Sequence, residues 1–357
     1  MRATLRRLHR YLALACALLW LSQAVTGLLM VYRWELDDAL LDAPVVPLDL
    51  AALDARIAAI AQATPSRTVT QLWATGGVEG RVDLYADDAA GQTDIIRVDG
   101  AGHVLRTRPD GHDYAHIGLI PFAASVHQTL FAGDVGSVVV GVSGLMLLSS
   151  IVMGAVLAWP RKGQARAVLW PRGARPGAAR RYAWHRGLGL WLGLPAVVLI
   201  VVGVMQVFYD PIERWLGENG VPLELQSVAA FTGTPVAPAV AIETALRRFP
   251  GSSLSGVAFP NDGQPWYRIR VRQPGEWRRV FGTTTIFVAA ADGRALRVDD
   301  PLNASAGRRF LDNLYPVHTG EAGGFIGRLL TFSVAAWLLA MLVLGLGLWW
   351  IRRARRT

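Results

Sequence analysis

The chain has 357 residues, of which 52% are hydrophobic, 18% are charged and one, Cys16, is a cysteine. That balance is too apolar for an ordinary soluble enzyme, and a lone cysteine excludes an internal disulfide and any cysteine-built zinc or iron–sulfur site. The net charge of +9 does not mark a nucleic-acid binder, because it collects in three short segments and no basic stripe with interleaved aromatics lies outside them.

In chain order, residues 1–33 open on Arg2, Arg6, Arg7 and Arg10 and continue as an uncharged run from 11 to 32. Roughly 20 apolar residues in a helix cross the hydrocarbon core, and this run reaches that length. Basic residues before an apolar run also suit a signal peptide. The length of the run and the poor cleavage context around Cys16 point instead to an uncleaved helix.

Residues 34–125 form the first long hydrophilic segment, with helical apolar spacing at Leu53, Ile57 and Ile60, alternation over 81–85 and a glycine turn at Asp99-Gly-Ala-Gly. A helix on a small antiparallel sheet is expected. Residues 126–160 bring His127 and a second uncharged run, 135–159. The loop 161–184 is basic, and 161–186 holds eight basic residues and no acid. Residues 185–209 bring His185 and a third run, 188–209, in which Pro195 marks a possible kink.

Residues 210–315 repeat the earlier signals: Val240, Ile242 and Leu246 at helical spacing, alternation over 266–271 and a turn at Asp292-Gly. Residues 316–351 carry His318 and the fourth run, 329–351, and 352–357 form a basic tail. Short basic segments stay in the cytoplasm, which places both termini inside and both long segments outside.

The order of features occurs twice. Leu8-His9-Arg10 and Trp184-His185-Arg186 open the first and third spans, while Val126-His127 and Val317-His318 precede the second and fourth. The expected fold is an all-α four-helix transmembrane bundle with two outer α+β domains, built by tandem duplication of helix–domain–helix.

Four of the seven histidines thus fall at repeat-equivalent positions. Alternating topology puts His9 and His185 at one membrane level and His127 and His318 at the other. A single interfacial histidine is an ordinary polar anchor. Two imidazoles from different helices at one level can supply both axial ligands of a haem iron, so two levels would give two haems.

Gly187, Gly189, Gly320, Gly323 and Gly324 could admit a flat macrocycle or serve close helix packing. Arg10 and Arg186 could meet haem propionates, although the positive-inside rule already explains them. Gln23 and Gln206 are polar groups inside spans that could bond across helices. His103 falls in a turn and reads as solvated. His112 and His116, with Asp113 between them, have i,i+4 spacing that could serve a peripheral metal site, without an evident third ligand, or could approach the outer haem or a substrate. Arg308 and Arg309 read as a solvated pair that could attract an anionic iron chelate. Phosphate-loop, dinucleotide, Gly-x-Ser-x-Gly and His-Glu-x-x-His signatures are missing, so any redox power must come from a bound cofactor and an outside donor.

The Leu-His-Arg opening, the Trp184-His-Arg-Gly-Leu-Gly-Leu-Trp191 segment and Pro316-Val-His-Thr-Gly-Glu-Ala-Gly-Gly-Phe-Ile-Gly-Arg328 resemble the PepSY-associated transmembrane family over nearly the whole chain. Four-helix members of that family are similar to inner-membrane ferric-siderophore reductases, the ferrioxamine reductase among them. The resemblance implies two periplasmic PepSY-like domains and two haems b. His9 and His185 would ligate the cytoplasmic-side haem, and His127 and His318 the periplasmic-side one. It further implies reduction of a ferric siderophore in the periplasm, with release of Fe(II) for uptake. The Val-His-Gln-Thr setting of His127 departs from the family's Leu-His-Arg pattern.

The competing reading is a non-enzymatic PepSY membrane regulator that binds or inhibits a periplasmic peptidase. A transporter ranks below both, because no span carries a central acid. The expected partners are the bilayer, a ferric siderophore and an electron donor, either quinol or a cytoplasmic reductase, with no nucleic acid.

Overall fold

The computed structural model describes residues 2–110, 118–172, 175–218, 225, 233–261 and 263–354. The chain divides into two compact units: Met1–Val31, Ala123–Tyr209 and Val317–Thr357 form one, and Tyr32–Phe122 with Asp210–Pro316 form the other.

The first unit is helical. Its long elements are α1 (Arg2–Val31), and α5 (Gly133–Ala158), which the shorter α4 (Leu119–Thr129) precedes. After α6 (Ala165–Leu169) come α7 (Ala178–Trp191) and α8 (Gly193–Val207). Among the described residues, three helices are long and apolar enough to cross a membrane: α1, α5 and Glu321–Ala354, a short 3₁₀ turn running into a helix; α7 and α8 make a fourth span if the bent pair is one.

The 61° break between α7 and α8 sits at Leu192. Pro195 gives the cause. Its ring has no N–H to donate and crowds the carbonyl four residues earlier, at Trp191. Side chains such as Leu18, Val135, Leu194 and Ile326 lie exposed on the outside of these helices, as a lipid-facing surface requires.

Helix association in lipid relies on close approach of small residues, since the tails are as apolar as leucine. Gly141 faces Val207 and Phe208, and Gly144 faces Val204, which seats α5 against α8. Trp20 Nε1 donates to the Ser143 carbonyl at 3.2 Å and ties α1 to α5.

The second unit begins with α2 (Arg33–Asp38) and α3 (Leu50–Ala63), followed by β1 (Thr68–Ala74), β2 (Val82–Asp87), β3 (Thr93–Val98) and β4 (Val104–Pro109). Its later part holds α9 (Tyr209–Trp215), α10 (Pro238–Arg248), β5 (Ser253–Ala258), β6 (Trp266–Arg272), β7 (Thr284–Ala289) and β8 (Ala295–Asp299). Then α11 (Ala306–Thr319) returns the chain to the bundle, where α12 (Gly324–Ala354) is the last helix. In the bundle α1 packs on α5 and α12, α5 on α8, and α12 on α7. Trp337 Nε1 secures the last contact by donating to the Leu188 carbonyl at 2.7 Å.

Two separate small sheets are expected from the sequence, but the strands form one antiparallel eight-stranded sheet in the order β4-β3-β2-β1-β5-β6-β7-β8. The seam is β1 on β5, with Gln71 opposite Ala258, Leu72 opposite Val257 and Trp73 opposite Gly256. Each four-strand meander alone would leave the inner strand's N–H and C=O groups unpaired, and joining them removes two open edges. Helices α3 and α10 cover one face, burying Leu53, Ile242 and Ala245 against Leu72, Leu84, Val257, Ile269 and Ile286. The Asp54 carboxylate of α3 accepts the Ala239 N–H in the first turn of α10, a donor with no partner inside its own helix.

The opposite face is charged. Arg97, only 1% exposed, grips both oxygens of Asp83 at 2.8 Å and reaches Asp37 at 2.6 Å and Asp38 at 3.3 Å. Arg81 pairs with Asp38 and Arg106 with Asp37, which ties α2 to β2, β3 and β4. Removing one partner from such a network strands its buried counter-charges. Arg97→Met is therefore expected to lower the stability of this unit by about 3–5 kcal/mol in denaturant titrations followed by the sheet signal.

Burial alone would raise the Asp37 carboxyl, but the Arg106 hydrogen bond and the Arg97 charge hold it below its ordinary value. Its stabilisation is full above the unfolded value of about 3.9 and is lost as pH falls through the lower folded one. A fall in the stability of the sheet unit at and below that range, with a shallower pH dependence in Asp37→Asn, is the expected result.

Candidate functional site

Four histidines meet in two pairs inside the helical unit. His9 on α1 and His185 on α7 have ring centroids 6.4 Å apart, with planes inclined at 55°. His127 on α4 and His318 on α11 have centroids 6.3 Å apart, inclined at 38°. In the first pair α1 faces α7, and in the second the chain entering α5 faces the chain entering α12. Each pair thus joins elements that lead opposite corners of the bundle.

The rings are held in a common way. The His9 Nδ1 lies 3.0 Å from the Ser150 carbonyl, and the His318 Nδ1 lies 2.9 Å from the Leu199 carbonyl. The His127 ring lies beside the Gln23 carbonyl, and its Nδ1 stands 3.1 Å from the Thr26 hydroxyl. The Met341 carbonyl lies beside the His185 ring, and the His185 Nδ1 is buried without a hydrogen-bond partner. An Nδ1–H given to a carbonyl leaves the lone pair on Nε2, the arrangement that suits a metal-binding imidazole.

Four residues beyond each of these carbonyls is a glycine whose hydrogen faces the ring. A Cβ at Gly154 would meet the His9 ring at 3.4 Å, at Gly27 the His127 ring at 3.1 Å, at Gly203 the His318 ring at 2.7 Å and at Gly345 the His185 ring at 3.4 Å. A side chain would clash with the ring at Gly203 and crowd it at Gly27, while at Gly154 and Gly345 a methyl group would make an ordinary contact. Each of these four histidines therefore rests on a carbonyl–glycine turn of another helix: α5 for His9, α1 for His127, α8 for His318 and α12 for His185.

These glycines are not the ones the sequence suggests. Gly187 abuts the Val168 carbonyl, Gly189 the Met341 side chain, and Gly320 the Gly327 carbonyl, while Gly323 and Gly324 face open space. A spacing signal marks the right ones. His9 to Gly27 and His185 to Gly203 are both 18 residues, and His127 to Gly154 and His318 to Gly345 are both 27. Eighteen residues make five helical turns of about 3.6, so His9 and Gly27 share one face of α1 about 27 Å apart, close to the thickness of a hydrocarbon core.

Neighbouring polar groups support the same frame. Gln23 Nε2 donates to the Val126 carbonyl at 3.1 Å, next to His127, whereas Gln206 finds no such partner among the described residues. Arg186 is committed to the end of α5, donating from Nε to the Ala158 carbonyl at 3.0 Å. Arg328, which the sequence did not single out, does the same for α1 at the Val31 carbonyl. Arg10 lies over the Tyr11 ring.

The remaining candidates lie apart from the pairs. His103 is exposed and bonded to Asp99. Arg308 is not a solvated partner of Arg309, since it pairs with Glu213 and Asp312, while Arg309 is exposed. His112 and His116 fall outside the described residues. Among the described residues, no group of three or more His, Cys, Asp or Glu side chains could hold a metal ion. Two-histidine donor sets are what these residues offer. Imidazoles bonded on opposite sides of one metal ion at about 2.0–2.1 Å each have centroids about 6 Å apart, which the observed separations match.

Apolar helices long enough to span a bilayer, together with an α+β sheet unit, define a multi-pass membrane protein. The chain belongs to the PepSY-associated TM region family, whose match covers residues 6–352. No curated protein matches the chain.

Proposed function

We propose that this protein is a di-haem b electron conduit of the bacterial inner membrane that reduces ferric siderophores in the periplasm and so releases Fe(II) for uptake. The observation that carries this reading is the pair of imidazole pairs at 6.3 and 6.4 Å, each ring fixed against a glycine. In this reading both termini are cytoplasmic, the sheet unit is periplasmic, and the chain arose by duplication of a helix–domain–helix element. The equal spacings of 18 and 27 residues and the symmetric strand order support that origin.

The four histidines would hold the haem irons through Nε2, His9 with His185 and His127 with His318. When bound, haem supplies a one-electron carrier whose potential follows its axial ligands and their hydrogen bonds. The chain orients the imidazoles and keeps water and the charged chelate away from the path. Each Fe(III) takes one electron. A quinol or a reduced cytoplasmic flavin giving two electrons therefore serves two chelates, with its protons released on the donor side.

A visible spectrum of the detergent-purified chain, oxidised and dithionite-reduced with haem quantified, tests this. Two haems per chain with a sharp reduced α-band are expected. A well-folded preparation that takes up no haem, even with haem supplied during expression, would overturn it and favour a PepSY regulator acting on a periplasmic peptidase. A regulator has no use for four imidazoles held in pairs.

A further inference from the structure

The sheet unit carries a charge imbalance that its packing does not explain. The residues of β6 alternate: Tyr267, Ile269 and Val271 join the core under α3 and α10, so Arg268 and Arg270 stand on the other face. Arg270 is opposite Gly256, and Gly256 is opposite Trp73 across the seam. The Trp73 ring occupies the space a Gly256 side chain would fill, and the Arg270 guanidinium lies 5.8 Å from that ring.

Strands β2 and β6 are each one step out from the seam. In this row β2 places Asp83, gripped by Arg97 at both oxygens. At the corresponding place β6 puts Arg270, which has no carboxylate in ion-pair reach among the described residues. Asp312, the acid that faces it, is already held by Arg308 at 3.1 Å. Arg278 donates to the backbone carbonyl of Asp312 and not to a carboxylate. Burial first, then the Arg278 and Arg268 charges, push the Arg270 guanidinium down to about 10. A largely buried cation beside other cations, without a counter-charge of its own, is costly unless an anion completes it.

We infer that Arg268, Arg270 and Arg278, with the Trp73 ring beside them, form a binding site for an anionic ferric chelate that presents carboxylate or catecholate oxygens. This rests on the proposed reductase activity and narrows its substrate class: a cationic trihydroxamate chelate is disfavoured by the same charges. Charged oxygens take the guanidinium N–H groups, beside the indole over which Arg270 lies.

The test uses gallium(III) chelates, which match ferric chelates in charge and shape but are not reduced, so binding is read without haem chemistry. The full chain in detergent is titrated calorimetrically with gallium citrate, a gallium tris-catecholate, the metal-free chelators and a gallium trihydroxamate bearing a free ammonium. At least one anionic gallium chelate is expected to bind tenfold or more tighter than both the cationic one and its own metal-free chelator. Arg270→Gln should weaken it about tenfold and Arg268→Gln, at an exposed position, severalfold, with haem content unchanged. Equal affinity for anionic and cationic chelates, equal affinity for metal-free chelators, or no change in either variant would overturn the site. A chain that binds the anionic chelate but holds no haem would instead sink the reductase reading and leave the site standing.

Discussion

His318→Ala is expected to cut the haem content of the purified chain from two per chain to about one and to leave the spectrum of the remaining haem intact. The two pairs lie at opposite ends of α1, where His9 and Gly27 mark levels about 27 Å apart by helix rise, so loss of one pair need not disturb the other. His127→Ala should give the same spectrum as His318→Ala, and His9→Ala the same as His185→Ala. Equivalence within pairs and difference between pairs is the signature. Four variants that all keep two low-spin haems, or that all lose both, would contradict the pairing.

Substitution of the four glycines is expected to follow the distances at which a side chain would meet its ring. Gly203→Ala should be the most damaging, because its Cβ would come within 2.7 Å of the His318 ring. Gly27→Ala follows at 3.1 Å from His127, and Gly154→Ala and Gly345→Ala, both at 3.4 Å, should be mild. Overpacking of this kind costs about 1–3 kcal/mol, and here the strain would fall on the imidazole's position and on its Nδ1 hydrogen bond.

The expected readout for Gly203→Ala is reduced occupancy or a changed axial spectrum of the haem that His318→Ala removes, with the other haem unaffected. Leucine at each position should abolish the corresponding haem. A flat response, with alanine equally tolerated at 203 and 345, would show that the glycines serve helix packing only.

Part of this architecture is local and therefore open to sequence reading. The apolar runs have lengths that only a bilayer or a large buried core explains, and they emerge as α1, α5, the bent α7–α8 pair and α12. The bend at Leu192 follows from Pro195, a covalent property of one residue. Alternation along 266–271 correctly separates Tyr267, Ile269 and Val271 from the arginines between them, because a strand's side chains change face at every step. The partnership of His9 with His185 and of His127 with His318 also followed from counting membrane crossings, since each crossing reverses the chain.

By itself, then, the sequence determined a multi-pass membrane protein with four histidines at span ends and β-rich segments between the spans. What it did not determine are contacts between residues far apart in the chain. Fusion of the strands into one sheet depends on β1 meeting β5, some 180 residues later, and nothing in either strand's own pattern distinguishes an open edge from a paired one. The ring-bearing glycines were missed because a glycine's role is set by what approaches it, and Gly203 is defined by a side chain from α11. The unmatched charge of Arg270 is likewise invisible in a segment whose acids and bases balance. Ion pairing is a matter of distance, and only the folded sheet shows that Asp83 is satisfied by Arg97 while Arg270 meets an indole.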